Sequence, residues 1–196
     1  MTLIIAHRIN TIEALKTVQP CFGVEIDIRS RGLDLILHHD PYAQGEYFSS
    51  WLDHFHHRTL ILNVKEEGLE ERILKLMKLH EISDFFFLDQ SFPFLLKTAR
   101  TGEKRCAVRV SEYESPDTAL NLAGLVEWIW LDCFTRFPVT AVEAQILKKA
   151  GFKLCLVSPE LQGRDPKTEI PALRKFLTQQ SITIEAVCTK YQGLWS

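Results

Sequence analysis

Short apolar stretches recur along the whole chain and alternate with segments of helical periodicity. Nine stretches are five to seven residues long and rich in β-branched or aromatic side chains, which is typical of buried strands. They cover residues 3–7, 23–29, 33–38, 59–65, 84–88, 106–110, 128–132, 153–157 and 184–188. The stretch 33–38 follows 23–29 so closely that we interpret it as a hairpin extension, which leaves eight core strands.

The intervening segments place apolar residues every three or four positions, the spacing of one helical face. Asn10 is predicted to cap a first helix, with Glu13 reaching back to it. Gly151 follows another helix as a stop signal, and Pro171 is expected near the first turn of a later one. Further helices are predicted at residues 67–80, 91–100, 116–123, 140–150 and 171–179.

Regular strand–helix alternation predicts βαβ units and a parallel sheet. Eight repeats favour a closed (β/α)8 TIM barrel, with an open doubly wound sheet as the alternative. The chain has no GxGxxG or GxxxxGK[ST] loop, which argues against a nucleotide-binding Rossmann or P-loop fold. No linker or low-complexity tract divides the chain, so residues 1–196 are predicted to form a single α/β domain.

Composition narrows the classes of partner. The 196 residues are 46% hydrophobic and carry a formal net charge of −2. This charge argues against a protein that coats nucleic acid or an anionic membrane, because both tasks need a basic surface. No apolar stretch is long enough to span a bilayer, and no targeting segment is recognised. We therefore expect the protein to be located in the cytoplasm. The five cysteines show no CxxC spacing: Cys21, Cys106, Cys133, Cys155 and Cys188. Four of them lie inside apolar runs and are expected to be small buried hydrophobes in a reducing compartment.

Two carboxylates lie on one face of the second predicted strand. Glu25 and Asp27 are two residues apart and therefore point to the same side. Burying two like charges is costly without a cation, and a hard divalent ion such as Mg²⁺ or Ca²⁺ would compensate them. Pairing with Arg8 or Arg29 is the alternative that the spacing leaves open.

Two histidines follow strands whose carboxyl ends would meet at the mouth of a barrel, where barrel enzymes place their catalytic groups. His7 ends the first predicted strand, and His39 follows the hairpin extension. Two histidines on opposite sides of a phosphate suit acid–base cleavage of a phosphodiester near neutral pH. Each histidine taken alone is more simply a hydrogen-bonded core or surface residue.

These residues form an ordered set that resembles a known family. The segments Ala6-His7-Arg8, Gly23-Val-Glu25-Ile-Asp27 and Leu37-His38-His39-Asp40-Pro41 are similar to the opening signature of glycerophosphodiester phosphodiesterases. More faintly, Leu62-Asn63-Val64-Lys65 resembles the third strand of that family. The resemblance implies a PLC-like phosphodiesterase barrel.

The resemblance also implies roles for single residues. His7 and His39 would be the acid–base couple, and Arg8 and Lys65 would contact phosphate. One divalent ion, Mg²⁺ or Ca²⁺, would be held by Glu25, Asp27 and the residue at position 63.

The chain departs from the family pattern at three places. Ile9 replaces a glycine, and a glutamate expected before Asn10-Thr11 is missing. Asn63 stands where the family has a third carboxylate, which removes one negative charge from the metal shell. Asp89 and Asp132, each at the end of an apolar strand, are possible additional metal ligands, with helix or loop capping as the alternative.

Other polar and aromatic residues are weaker candidates. Arg109, flanked by valines, is predicted to face the barrel interior as an anion ligand, and a buried ion pair is the alternative. The histidine cluster at residues 54–57 is predicted to be a solvated loop rather than a metal site. The tryptophans at positions 51, 128 and 130 are predicted to pack in the core.

The leading functional hypothesis is metal-assisted hydrolysis of a phosphodiester of a small alcohol or polyol by the two-histidine mechanism. One alternative is a catalytically weak or inactive homologue that binds phosphosugars or headgroups. Another is a lyase that releases a cyclic phosphate. The predicted partner is a small-molecule phosphodiester, with neither nucleic acid nor an integral membrane segment involved, and no oligomeric state is predicted.

Overall fold

The computed structural model describes residues 2–196, which contain ten strands and eight α-helices. In chain order the strands are β1 (Leu3–Ala6), β2 (Gly23–Arg31), β3 (Asp34–Leu37), β4 (Glu46–Tyr47), β5 (Leu60–Val64), β6 (Phe85–Leu88), β7 (Ala107–Val110), β8 (Trp128–Leu131), β9 (Lys153–Val157) and β10 (Ala186–Thr189). The helices are α1 (Ile12–Thr17), α2 (Phe48–Leu52), α3 (Glu70–Leu79), α4 (Phe92–Arg100), α5 (Pro116–Leu120), α6 (Ala141–Lys149), α7 (Pro166–Gln179) and α8 (Gln192–Trp195).

Eight parallel strands close into a barrel. β2 pairs with β1 on one side and with β5 on the other, and β5 continues to β6. In the other direction, β1 is followed by β10, β9, β8 and β7. A single bridge between Phe87 and Cys106 joins β6 to β7. The predicted (β/α)8 barrel is therefore confirmed, and the alternative of an open sheet is wrong.

The hairpin extension is also confirmed. β3 pairs antiparallel with the second half of β2, and β4 pairs antiparallel with β3. This hairpin rises beyond the carboxyl end of the barrel and carries His39 just after β3. Arg29 holds the segment in place, because its guanidinium donates to the carbonyl oxygen of His39 at 3.1 and 2.8 Å.

The core has two layers, as expected for a barrel whose strands alternate side chains inward and outward. Residues such as Val24, Ile26 and Ile28 face outward and pack under the helices. Trp128 and Trp130 belong to a second cluster that fills the barrel interior. The three tryptophans predicted to be core residues are all buried, as are four of the five cysteines.

Two predicted helix starts are wrong. Thr11, not Asn10, caps α1, because its side chain accepts a hydrogen bond from the amide of Ala14. Pro171 lies inside α7, which begins five residues earlier at Pro166 and is capped by Asp165. Asp165-Pro166 is the actual start signal, because proline is favoured at the first position of a helix. Within residues 2–196, no helix combines the length and the apolar character needed to cross a membrane.

Candidate active site

The carboxyl ends of three neighbouring strands bring together six of the predicted site residues. His7 and Arg8 directly follow β1, Glu25 and Asp27 lie on β2, and β5 supplies the remaining two. The register of the sheet places Asp27 beside Asn63, and Lys65 comes one residue after β5. The alternation predicted from sequence holds: the carboxylates point into the barrel while their apolar neighbours point outward.

Glu25 is fully buried and has hydrogen-bond donors at both carboxylate oxygens. Asn63 Nδ2 donates to Oε1 at 2.8 Å, and the Arg8 amide donates to Oε2 at 2.8 Å. The imidazole Nε2 of His7 lies 3.8 Å from the same Oε2. Burial, reinforced by the neighbouring charge of Asp27, raises the pKa of Glu25 to about 7.

Asp27 is also fully buried, and its carboxylate meets one amide and two cations. Asn10 Nδ2 donates to Oδ2 at 2.8 Å, while the Asp27 amide donates back to Asn10 Oδ1 at 2.8 Å. Arg8 Nε lies 3.8 Å from Oδ2, and Lys65 Nζ lies 3.3 Å from Oδ1. Arg8 therefore forms an ion pair with Asp27, as the alternative interpretation of the sequence predicted.

Asn10 is a functional candidate that the sequence interpretation missed. Its amide makes a two-point contact with Asp27 and so fixes the orientation of a carboxylate at the centre of the site. The sequence predicts a helix cap at Asn10 because asparagine favours that position. The sequence does contain a signal for this role. Thr11 is an equally good cap, so Asn10 is not needed to cap the helix.

His7 is largely buried, and its Nδ1 has no hydrogen-bond partner among the described residues. Burial, aided by the positive charge of Arg8, lowers the pKa of His7 to about 3. The imidazole is therefore neutral at physiological pH. Arg8 adopts a left-handed conformation with φ of 56°, which is unusual for a non-glycine residue and turns the chain sharply after His7.

His39 lies apart from this cluster, on the exposed lip formed by the β3–β4 hairpin. Its Nδ1 is 2.8 Å from Asp40 Oδ1, and the hydrogen bond from His39 lowers the pKa of Asp40. Within residues 2–196, no hydrogen bond or ion pair joins His39 to His7 or to the carboxylates. His39 instead borders a cavity of about 540 Å³ that Thr11 and Gln44 also line.

The remaining predicted residues form a charged chain across the barrel mouth. Arg109 lies between Asp89, which it contacts through Nη2, and Asp132, whose Oδ2 is 2.9 Å from Nη1. Asp89 Oδ2 also lies 3.5 Å from Lys65 Nζ. Burial alone would lower the pKa of Arg109, but the charges of the two aspartates outweigh it and the pKa is raised. Both aspartates that were possible metal ligands thus bind Arg109.

The oxygen atoms at the centre of the site fit a hard cation in part. Asn63 Oδ1 is buried without a hydrogen-bond partner, and Asp27 Oδ1, which is also buried, lies 3.3 Å from the Lys65 ammonium. Oxygen ligands of this kind suit Mg²⁺ or Ca²⁺. Residues 2–196 contain no group of three His, Cys, Asp or Glu side chains arranged to hold a metal, and the residue of β5 that lies beside Asp27 is Asn63. The histidines at residues 54–57 lie in the loop before β5, at the opposite end of that strand from the site.

Comparisons with known proteins support the fold. No protein-family profile matches the sequence, and no curated protein matches it. Solved structures do match in shape. A glycerophosphodiester phosphodiesterase from Agrobacterium tumefaciens strain C58 is 14% identical with a TM-score of 0.69, covering 100% of this chain and 99% of its own.

Two further structures share the architecture. A glycerophosphoryl diester phosphodiesterase from Parabacteroides distasonis is 14% identical with a TM-score of 0.63, covering 96% of this chain and 82% of its own. A tryptophan synthase α-subunit from Pyrococcus furiosus is 10% identical with a TM-score of 0.50, covering 96% and 86%. The chain therefore has a (β/α)8 barrel fold, and its shape is similar to that of the two phosphodiesterases along nearly its whole length.

Proposed function

We propose that this protein is a phosphodiester hydrolase that acts on a diester of a small alcohol or polyol, as the names of its two phosphodiesterase neighbours suggest. The observation that supports this best is a neutral, largely buried His7 beside the fully buried pair of Glu25 and Asp27 at the barrel mouth. Since barrels host many reactions, the proposal rests on this site and not on the fold.

Arg8 and Lys65 are proposed to bind the phosphate. The Arg8 side chain is 42% exposed and so can reach a ligand, while Lys65 lies within 3.3 Å of Asp27 and 3.5 Å of Asp89. Carboxylates on both sides hold the ammonium at the mouth of the barrel. A bound phosphodiester would add the negative charge that these two cations can neutralise.

His7 and His39 are proposed to move the protons. A neutral His7 accepts the proton of the attacking group, which is either water or a neighbouring hydroxyl of the substrate. In the second case a cyclic phosphate forms first, and water then opens it to the phosphomonoester. His39 donates a proton to the leaving alcohol oxygen as the P–O bond to that alcohol breaks, and Asp40, whose Oδ1 lies 2.8 Å from His39 Nδ1, orients the imidazole. The exposed position of His39 on the hairpin suits a group that must approach the substrate from the solvent side.

Glu25, Asp27 and Asn63 are proposed to hold one Mg²⁺ or Ca²⁺ ion. Such an ion would neutralise charge on the phosphate and lower the pKa of a bound hydroxyl group. Asn63 contributes a neutral oxygen, so the shell carries two negative charges at most. The proposed site is therefore weaker than one with three carboxylates.

A binding homologue without turnover is the second candidate, and Asn63 is the observation that favours it. Loss of the third carboxylate lowers the charge that would retain a catalytic ion. In that case the arginine and lysine would still bind a phosphate group, and His7 would only line the pocket.

Incubation with glycerophosphoglycerol, followed by ³¹P NMR, separates these candidates. The proposal predicts a phosphomonoester product in the presence of Mg²⁺ or Ca²⁺ and its loss in excess chelator. A cyclic phosphate as the final product would indicate a lyase. An unchanged diester that nevertheless binds saturably would indicate the binding homologue. Full turnover in excess chelator would show that the reaction needs no divalent ion.

A further inference from the structure

β6 and β7 are the two barrel neighbours that share no continuous ladder in the described chain. The bridge between Phe87 and Cys106 joins the second half of β6 to the residue just before β7, and among the described residues no ladder joins the two strands beyond it, where a gap opens between Leu88 and Ala107. Inside the barrel, Phe86 stacks on Trp128 with ring centroids 4.4 Å apart, while the inward apolar residue of β7 is the small Ala107. The separation leaves a cavity of about 690 Å³, which we name the β6–β7 cleft.

The β6–β7 cleft passes through the barrel wall. Leu88 and Ala107, which line it, belong to the cluster inside the barrel. Leu95 and Val108, which also line it, belong to the layer between strands and helices. A cavity of this size with an apolar floor accommodates a chain or ring of many carbon atoms.

The charged lining of the cleft is already neutralised. Arg109 is paired with Asp89 and lies 4.0 Å from Glu114. An anionic ligand would meet the two carboxylates, and a cationic ligand would meet the guanidinium. The cleft therefore favours an uncharged, apolar part of a ligand over a charged one.

Two aromatic side chains expose apolar surface at the opening. Phe92 is 47% exposed and Tyr113 is 80% exposed, and both line the cleft. Large exposed aromatics beside a cavity are typical of ligand-binding surfaces. They extend the apolar path from the cavity towards solvent.

The cleft borders the candidate active site. Asp89 lines the cleft and lies 3.5 Å from Lys65 Nζ, which is a proposed phosphate ligand. A smaller cavity of about 220 Å³ between them is lined by both residues. A phosphodiester bound at Lys65 could therefore direct one of its two substituents into the cleft.

We infer that the β6–β7 cleft binds an alkyl or aryl substituent of the substrate, so that the preferred diester is amphiphilic, with a small polar alcohol on one side and an apolar group on the other. This inference rests on the proposed function. The cavity beside His39, lined by Thr11 and Gln44, is left for the polar alcohol.

The test uses esters of glycerol 3-phosphate with methanol, butanol and octanol. Thr118 is exposed and lines the cleft, so Thr118→Trp fills it from the outside without disturbing the core. Asp117 is the exposed neighbour on α5 that does not line the cleft, so Asp117→Trp is the matched control. Binding of octyl phosphate and methyl phosphate, measured by calorimetry on the same proteins, gives a readout independent of turnover.

We expect kcat/KM of the wild type to rise along the series, by up to about fourfold for each methylene group buried. Thr118→Trp should flatten this rise and abolish the preference for octyl over methyl phosphate, and Asp117→Trp should retain both. Equal kcat/KM for the three esters, or a wild-type chain-length preference in Thr118→Trp, would overturn the inference and leave the hydrolase intact. Absence of turnover with every ester, together with a preference for octyl phosphate that Thr118→Trp removes, would contradict the hydrolase but support the cleft.

Discussion

Asn63 donates a hydrogen bond to Glu25 at 2.8 Å across neighbouring strands, while its own Oδ1 stays buried without a partner. One side chain thus stabilises the ionised form of a buried carboxylate and leaves an oxygen available at the same place. A carboxylate at position 63 could not donate this bond. The relationship explains how two carboxylates are buried together with only a lysine and an arginine nearby.

Asn63→Asp tests whether this arrangement is a metal site. In excess chelator, the variant should be less stable than the wild type by about 3 kcal/mol, because a third buried carboxylate replaces a donor. Added Ca²⁺ or Mg²⁺ should raise its melting temperature more than that of the wild type, since binding to the folded state stabilises it.

Thermal unfolding with and without the ions provides the measurement. Asn121→Asp, at an exposed position outside the site, controls for the added charge. An identical ion response in Asn63→Asp and the wild type would argue against a cation at Glu25 and Asp27.

The raised pKa of Glu25 predicts how stability depends on pH. The pKa is about 7 in the folded protein against 4.5 when unperturbed, so the folded state holds the proton more tightly. The stability contributed by Glu25 is fully present below pH 4.5 and is lost as pH rises through 7. The total loss is about 3 kcal/mol.

Urea unfolding of the wild type and Glu25→Gln in excess chelator, at a series of pH values, isolates this contribution. The difference in unfolding free energy should move in favour of Glu25→Gln as pH increases across that window. A pH-independent difference would mean that Glu25 titrates normally in the folded protein.

Asn10→Ala should affect both stability and activity. The substitution removes two hydrogen bonds to Asp27 and costs about 2 kcal/mol of unfolding free energy. Because the Asp27 carboxylate is then no longer held in place, kcat at saturating substrate should also fall.

Thr140→Ala is the matched control, because Thr140 forms a capping box on α6 outside the site. Its loss should cost about 1 kcal/mol with turnover unchanged. Equal turnover in the two variants would assign Asn10 a purely structural role.

Arg109 offers a test between a structural and a substrate-binding role. Arg109→Met leaves the buried Asp132 unpaired and should destabilise the fold by about 3 kcal/mol. Adding Asp132→Asn in the same chain should recover much of that stability. Because the guanidinium is already paired, hydrolysis of glycerophosphoglycerol by the double variant should keep a near-normal KM.

Urea unfolding and steady-state kinetics measure the two quantities on the same preparations. A stable double variant with a strongly raised KM would instead support the sequence prediction that Arg109 binds the anion directly.

Period-two alternation was sufficient to predict the inward direction of Glu25 and Asp27, because neighbouring apolar residues fix the other face. The same reasoning located the strands, and strand–helix alternation led to the barrel. Contacts between distant elements were not accessible in this way. Asn10 reaches Asp27 across 17 residues, and the sequence pattern around Asn10 was equally compatible with a helix cap.

The pairing of Arg109 shows the same limit. Arg109 was predicted to be either an anion ligand or an ion-pair partner, and only the placement of β6 and β8 on either side of β7 brings Asp89 and Asp132 to it. The β6–β7 cleft is lined by side chains from β6, α4, β7 and α5, which lie far apart in the sequence. Periodicity describes the face of one element and carries no information about such packing between elements.

Turnover of glycerophosphoglycerol by His7→Ala and His39→Ala is the most direct test of the proposed chemistry. Each variant should lose roughly 100- to 10,000-fold in kcat, because each lacks one proton-transfer group, while its unfolding transition stays cooperative. His56→Ala, which changes an exposed histidine in the loop before β5, should retain wild-type turnover. Phosphodiesterase activity retained in both His7→Ala and His39→Ala would contradict the account.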